Sequence, residues 1–148
     1  MPRVDHIPVA MQIHASCAAR EGYGVLLLGP SGSGKSDLVL RLLDHDFTLV
    51  ADDRVDLIDG VASVPPALAG LLEVRGLGIL RIPHAGATRV ALSVDLGRGA
   101  RLPEPTTDSR LGVPMVRIDA SSASAPQRVR WALDCALGRI TSVAGAFA

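Results

Sequence analysis

The sequence predicts an α/β fold organised around a glycine-rich loop. A short apolar run at residues 24–28 ends in that loop, and Ser36 to Asp44 then carries leucines at helical spacing without Gly or Pro. A second apolar run, Phe47 to Ala51, follows at once. Strand, loop, helix and strand in so short a stretch form a compact unit typical of α/β proteins.

Length and composition favour a single folded domain over residues 1–148. Apolar residues make up 48% of the chain and charged residues 20%, which suits one buried core and disfavours disorder. The 15 basic and 15 acidic side chains cancel, so no general attraction to nucleic acid or to an anionic membrane is expected. The same neutrality favours self-association.

The cysteines and the first residues indicate a cytoplasmic protein. Cys17 and Cys135 are predicted to be buried, reduced thiols, because cytosolic chains rarely keep disulfides. Asp5 and His6 interrupt the stretch where a signal peptide would need a continuous apolar run, and no later segment approaches membrane-spanning length.

The remaining segments are mainly typical of strands and turns. Val9 to His14 and Val90 to Leu96 are predicted strands, and Asp59-Gly60 is typical of a type I′ turn between two β-prone runs. Two glycines within residues 71–80 predict a loop there, and three prolines within 97–114 predict a long polar loop.

A second helix is predicted near the C-terminus. Ser124 and Gln127 have the spacing of a capping box, apolar residues follow at helical spacing, and Gly138 is suited to end the helix.

The glycine-rich loop reads GPSGSGKS and fits the P-loop pattern G-x-x-x-x-G-K-[ST]. Because it follows an apolar strand and opens a helix, a solvated turn is the weaker interpretation. Backbone N–H groups can surround phosphates, Lys35 can reach the β- and γ-phosphates of a nucleotide, and the Ser36 hydroxyl can coordinate magnesium. The predicted nucleotide-binding residues are Gly29, Pro30, Ser31, Gly32, Ser33, Gly34, Lys35 and Ser36.

Two acids, Asp52 and Asp53, follow the second apolar run directly. Adjacent residues at a strand end point to different faces, so one can face a metal and the other a substrate. P-loop enzymes place an acid there for magnesium, and a transferase needs a group that accepts the proton of an attacking hydroxyl. An acidic turn without function is the alternative, since Asp is common at strand ends.

Three further side chains are candidates. Glu73 offers a carboxylate for a metal and Arg75 a guanidinium for the charge on a transferred phosphoryl group, although the two would mean little as a surface ion pair. His14 ends a predicted strand, and a lone histidine is more often structural than catalytic.

The motifs GPSGSGKS, VADDRVD and LLEVRGLGIL, in this order and spacing, resemble the catalytic domain of bacterial HPr kinase/phosphorylase. The resemblance runs from about His14 to Ile82 and more weakly beyond. It implies a P-loop kinase domain with a mixed, strand-rich sheet and flanking helices. It also implies a protein that uses ATP and Mg²⁺ to phosphorylate a serine of HPr, a phosphocarrier of the sugar phosphotransferase system, and that can run phosphorolysis.

The resemblance also implies roles for individual residues. Asp53 would be the general base toward the target serine and Asp52 its metal-binding or structural companion. Glu73 would help to hold the metal, Arg75 would contact phosphate, and His14 would belong to the active site. Because the family forms hexamers through its catalytic domains, a homo-oligomer is expected.

The chain departs from the family pattern in two places. Typical members carry an additional N-terminal domain, so a short form with the catalytic domain alone is expected. Arg117 is only an approximate counterpart of a family arginine, and residues 97–114 differ, which leaves phosphorolysis and the protein substrate open. A small-molecule kinase with 97–114 as its lid, and a nucleotide-sensing module without transfer, are the alternative functions.

Overall fold

The computed structural model describes residues 10–148, so Asp5, His6 and the first residue of the predicted strand Val9–His14 lie outside the described residues. Two short 3₁₀ turns, Leu43–His45 and Pro66–Leu68, connect longer elements. These elements are β1 (Ala10–Ile13), β2 (Ala15–Arg20), β3 (Tyr23–Leu28), α1 (Lys35–Leu42), β4 (Thr48–Ala51), β5 (Val55–Ile58), β6 (Val61–Ser63), β7 (Leu71–Val74), β8 (Gly78–Arg81), β9 (Thr88–Leu96), β10 (Thr106–Asp108), β11 (Val113–Ile118) and α2 (Ala125–Ala136).

Most strands join one mixed sheet, as the predicted fold class requires. Its order is β1-β5-β6-β9-β3-β2-β4, with β11 beside the second half of β9 and β10 beside β11. The strands β3, β9 and β11 run parallel, whereas β2 is antiparallel to both β3 and β4. Strands β3 and β4 therefore point the same way, and their carboxyl ends meet at one edge of the sheet.

The central strand β3 is covered on both faces, which explains its uninterrupted apolar sequence. Val25 and Leu27 pack with Leu38 of α1 and Leu133 of α2 in one core cluster. Leu26 points to the opposite face and joins a second cluster with residues of β2, β4, β5 and β9. Burial of each such side chain stabilises the fold by about 1.5 to 3 kcal/mol, so the strand that precedes the glycine-rich loop is firmly anchored.

Several predicted elements are confirmed. The predicted helix from Ser36 to Asp44 is α1 with its following 3₁₀ turn, and the predicted hairpin is β5 and β6. Asp59 and Gly60 have φ angles of 49° and 79°, as a type I′ turn requires. Among residues 10–148 no helix has both the length and the apolar character needed to span a bilayer.

The prediction of a loop over residues 71–80 is wrong, because β7 and β8 form a hairpin there. Leu72 and Val74 are buried and alternate with the partly exposed Leu71 and the exposed Glu73, which is the pattern of a strand. Gly76, with φ at 88°, lies in the turn between β7 and β8. Gly76 therefore shapes the turn of the hairpin, and Gly78 opens β8 opposite Val74 without interrupting the strand.

Residues 97–114 are also more regular than predicted. The segment contains β10 and the start of β11, and a buried carboxylate anchors it. Asp108 accepts hydrogen bonds from Ser93 Oγ at 2.8 Å and from Arg110 Nη2 at 3.2 Å. Burial alone would raise the pKa of Asp108, but the hydrogen bonds from Arg110 and Ser93 outweigh it and leave the pKa below its usual value.

The capping-box prediction for the second helix is wrong in its detail. Helix α2 begins after Ser124, but the Ser124 side chain makes no capping hydrogen bond, and its hydroxyl instead accepts one from Arg128 Nε at 2.9 Å. The predicted end is confirmed, since Gly138 has φ at 74° and its N–H donates to the Cys135 carbonyl.

Both cysteines are free, as predicted. Cys17 is fully buried in β2, and burial raises the pKa of its thiol to about 12. Cys135 is only half-buried, so the prediction of burial holds for Cys17 alone.

Candidate active site

The glycine-rich loop connects the carboxyl end of β3 to the start of α1. Gly29 packs closely against Ser33, because a Cβ added there would lie 2.5 Å from Ser33 Oγ and 3.0 Å from Ser33 Cβ. Gly34 caps α1 with a left-handed φ of 96°, which glycine adopts without strain. The loop thus has the backbone that its motif predicts, at the N-terminus of a helix.

Lys35 reaches back across this loop. Its side chain is only 6% exposed, and Nζ donates hydrogen bonds to the carbonyls of Gly29 at 2.6 Å and Pro30 at 3.0 Å. The ammonium group therefore lies inside the curve of the loop, where it can attract phosphate oxygens.

Asp52 is a buried hydrogen-bond acceptor beneath the loop, 9% exposed. Ser36 Oγ donates to its carboxylate, 2.8 Å from Oδ1 and 2.9 Å from Oδ2, and Ser16 Oγ donates to Oδ1 at 2.8 Å. The backbone N–H of Glu73 donates to Oδ2 at 3.3 Å. Three segments that are distant in sequence thus converge on one carboxylate, and these bonds offset its desolvation.

Asp53 points elsewhere. Its φ of 68° turns the chain after Asp52, and its exposed carboxylate lies in contact with His14 Nε2. The backbone N–H of Asp53 donates to Ser16 Oγ at 3.2 Å. The neighbouring acids therefore have different surroundings, as their position at a strand end predicts.

A cavity of about 320 Å³ brings the predicted residues together. Asp53, Glu73 and Arg75 line it together with residues of the loop and of the first turn of α1. Asp52 lies behind Ser36 and does not line the cavity, whereas His14 is connected to it through Asp53. The loop residues that line it are Ser31, Gly32, Gly34, Lys35 and Ser36.

The donor atoms near Ser36 fit magnesium. Mg²⁺ prefers oxygen ligands and usually keeps only one or two protein carboxylates, the other positions being filled by water and phosphate. The Ser36 hydroxyl touches the carboxylate of Asp52, and Glu73 lines the same cavity. Across residues 10–148 no cluster of three or more His, Cys, Asp and Glu is arranged as a metal cage.

Sequence reasoning missed Ser16. It lies in β2, which was not predicted because ASCAAR is rich in small residues with weak strand preference. Since β2 is antiparallel to β3 and β4, its first residues lie at the edge where those strands end. We call Ser16, Asp52 and Asp53 the acid edge.

Arg117 lies on the other side of the loop strand. It is paired in register with Asp95 of β9, and its Nη2 donates to Asp95 Oδ2 at 2.8 Å. Both residues are partly exposed and line a second cavity, of about 440 Å³, together with Arg98 and Glu104. Arg117 does not line the cavity that contains Lys35 and Asp53. We call Asp95 and Arg117 the Arg117 edge.

In this mixed sheet the buried parallel strand β3 ends in a G-x-x-x-x-G-K-S loop at a helix N-terminus, and β4 nearby is followed by two acids. This arrangement defines an α/β domain of the P-loop type. The family model for the HPr Serine kinase C-terminal domain matches residues 6–97, and the chain belongs to this family.

Individual relatives agree with that assignment. The chain is 43% identical over 83 residues to the HPr kinase/phosphorylase of Lacticaseibacillus casei (strain BL23), covering 51% of this chain and 26% of the relative. It is 41% identical over 121 residues to that of Burkholderia cenocepacia (strain HI2424), covering 70% of this chain and 38% of the relative. The chain thus spans well under half the length of both.

The fold has a counterpart among solved structures. The HPr(Ser) kinase/phosphatase from Coxiella burnetii superposes with a TM-score of 0.68 at 24% identity, covering 82% of this chain and 87% of that chain. The mixed, strand-rich P-loop fold is therefore confirmed.

Proposed function

We propose that the chain is an ATP- and Mg²⁺-dependent protein serine kinase that phosphorylates an HPr-like phosphocarrier in the cytoplasm. The observation that supports this proposal is that Lys35, Ser36, Asp53 and Arg75 line one and the same cavity. It combines groups that bind phosphate with a carboxylate that can accept a proton, which is what phosphoryl transfer to a hydroxyl requires.

The phosphate side of the reaction rests on the loop. Its backbone N–H groups and Lys35 would hold the β- and γ-phosphates, and Arg75 would neutralise charge that builds up on the transferred group. Magnesium, when bound, neutralises charge on the phosphate oxygens. Ser36 would supply a ligand to it, Asp52 would orient that hydroxyl or coordinate the ion directly, and Glu73 would contribute from the cavity wall.

The acceptor side rests on Asp53. Its exposed carboxylate would accept the proton of the attacking serine hydroxyl, and His14, in contact with that carboxylate, would hold its orientation. The serine oxygen then bonds to the γ-phosphorus while the bond to the ADP oxygen breaks. The buried position of Asp52 supports this division of labour, since a covered carboxylate cannot meet a protein substrate.

The identity of the acceptor rests on family membership and on the printed names of the relatives, HPr kinase/phosphorylase. A homo-oligomer, with a hexamer as the expected form, is part of the same proposal, as are a single domain over 1–148 and retention of some phosphorolysis.

Incubation with γ-labelled ATP, Mg²⁺ and a purified HPr-like protein tests the proposal. Label should enter the acceptor protein, and an acceptor whose target serine is replaced by alanine should stay unlabelled. Label in a small product would instead show a small-molecule kinase. Nucleotide binding without any labelled product would show a sensing module. The variant Lys35→Ala is the matched control for contaminating kinases.

A further inference from the structure

Ser16 joins the two acids of the candidate site. Its side chain is completely buried, with 0% exposure. The hydroxyl donates to Asp52 Oδ1 at 2.8 Å and accepts from the backbone N–H of Asp53 at 3.2 Å. A single hydroxyl group therefore contacts the side chain of one acid and the main chain of the next, using both its donor and its acceptor capacity.

The first of these bonds fixes the orientation of Asp52. The carboxylate has two oxygens, and Ser36 Oγ lies within hydrogen-bond distance of both. Ser16 binds Oδ1 and the Glu73 N–H binds Oδ2, so the plane of the carboxylate is held from two sides. Without Ser16, Oδ1 would keep only the Ser36 hydroxyl as a donor, so the carboxylate would be held less firmly and could rotate relative to that hydroxyl.

The second bond fixes the turn at Asp53. An Asp with φ at 68° is in a backbone conformation that side-chain-bearing residues seldom adopt. The bond from its N–H to Ser16 Oγ and the bond from the Arg54 N–H to the Asp52 carbonyl, at 2.8 Å, both support this turn. The turn directs the Asp53 carboxylate to the cavity and to His14.

We propose that Ser16 is a positioning residue that couples the metal-side acid Asp52 to the base-side acid Asp53. The inference rests on the proposed phosphoryl transfer and adds a residue to its machinery. Ser16 does not line the cavity, and its side-chain hydrogen bonds go to Asp52 and Asp53, so it would act through these two acids. Its loss should therefore weaken magnesium use and turnover together, while affinity for the nucleotide without metal stays unchanged.

The test compares Ser16→Ala with Cys17→Ala. Cys17 is the next residue of the same strand, is equally buried and has its side-chain hydrogen bond to the Ala18 carbonyl and not to an acid, so its truncation reports the cost of disturbing β2. Calorimetry gives metal-free ATP affinity and its enhancement by Mg²⁺, and the labelled-acceptor assay gives kcat across a Mg²⁺ titration. Thermal unfolding confirms that each variant is folded at the assay temperature.

Loss of one buried hydrogen bond to a charged group corresponds to about a tenfold change in an equilibrium or rate. Ser16→Ala should raise the half-saturating Mg²⁺ concentration about tenfold and lower kcat by a similar factor, and Cys17→Ala should keep the wild-type values. A Ser16→Ala protein with wild-type magnesium dependence and kcat, or an equal loss in Cys17→Ala, overturns the inference while the proposed function stands. Wild-type protein that neither binds Mg²⁺–ATP nor transfers phosphate overturns both.

Discussion

The acid edge and the Arg117 edge lie on opposite sides of the loop strand β3, and they differ in the burial and hydrogen bonding of their charged side chains. The acid edge depends on a carboxylate that is 9% exposed and hydrogen-bonded to three segments. The Arg117 edge depends on an ion pair whose side chains are 56% and 36% exposed. Buried, fully bonded polar groups keep one geometry, whereas exposed ion pairs rearrange at little cost.

The family match follows the same division. The family model covers residues 6–97, which includes the acid edge and ends just after Asp95. Arg117 and most of its surroundings lie beyond the matched residues. The family match therefore includes the whole acid edge but only Asp95 of the Arg117 edge. We propose that the Arg117 edge makes the contacts that vary with the substrate.

A large loss of activity is expected when the loop between the two edges is altered. Lys35→Ala removes the ammonium group from the interior of the loop, so phosphoryl transfer should fall by about 10² to 10³-fold. The measurement is the initial rate of acceptor labelling at saturating ATP. Activity within threefold of wild type would show that the loop does not carry the transferred phosphate.

A matched pair of neutral substitutions compares the edges directly. Asp52→Asn places amide hydrogens against the donors Ser16 or Ser36 and should lower transfer by on the order of 10²-fold at limiting Mg²⁺. Asp95→Asn should leave ATP hydrolysis, measured without an acceptor protein, close to wild type. Equal losses in the two variants, measured across a Mg²⁺ titration, would remove the distinction between the edges.

Asp108 tests whether the segment beyond the family match has its own anchor. Its pKa is below the usual value, so its ionised form stabilises the fold above about pH 4 and loses that contribution as the pH falls further. Asp108→Asn should cost about 2 kcal/mol of unfolding free energy at neutral pH. The difference from wild type should shrink in denaturant titrations at pH 3, and a constant difference would contradict the assignment.

The smallest effect is expected for the exposed pair itself. Arg117→Ala should change the free energy of unfolding by less than about 1 kcal/mol, since surface ion pairs contribute little. Urea denaturation checks this value. A loss comparable to that of Asp108→Asn would show that Arg117 is a structural residue of the fold.

Much of this organisation follows from local sequence patterns. The loop, α1, β3 and β4 were predictable because glycine spacing and apolar runs act over a few residues. The β7–β8 hairpin was not, because Gly76 in its turn and Gly78 at the start of β8 have the same appearance in the sequence as glycines of a loop. The burial of Leu72 and Val74, which distinguishes the two, is decided by tertiary packing.

The candidate site shows the same limit. Asp52 and Asp53 could be placed near the loop from their position after an apolar run, but their different partners could not. The contacts of Ser16 depend on the antiparallel pairing of β2 with β3 and β4, which joins residues far apart in the chain. Strand pairing of this kind leaves no local signal in a segment of small residues.

The division of labour between the two acids is tested most directly by single-turnover transfer from Mg²⁺–ATP to an HPr-like acceptor with Asp53→Asn. We expect wild-type affinity for Mg²⁺–ATP and a transfer rate lowered by about 10² to 10⁴-fold, because only the proton acceptor is lost. A variant that transfers at the wild-type rate would show that Asp53 is not the base.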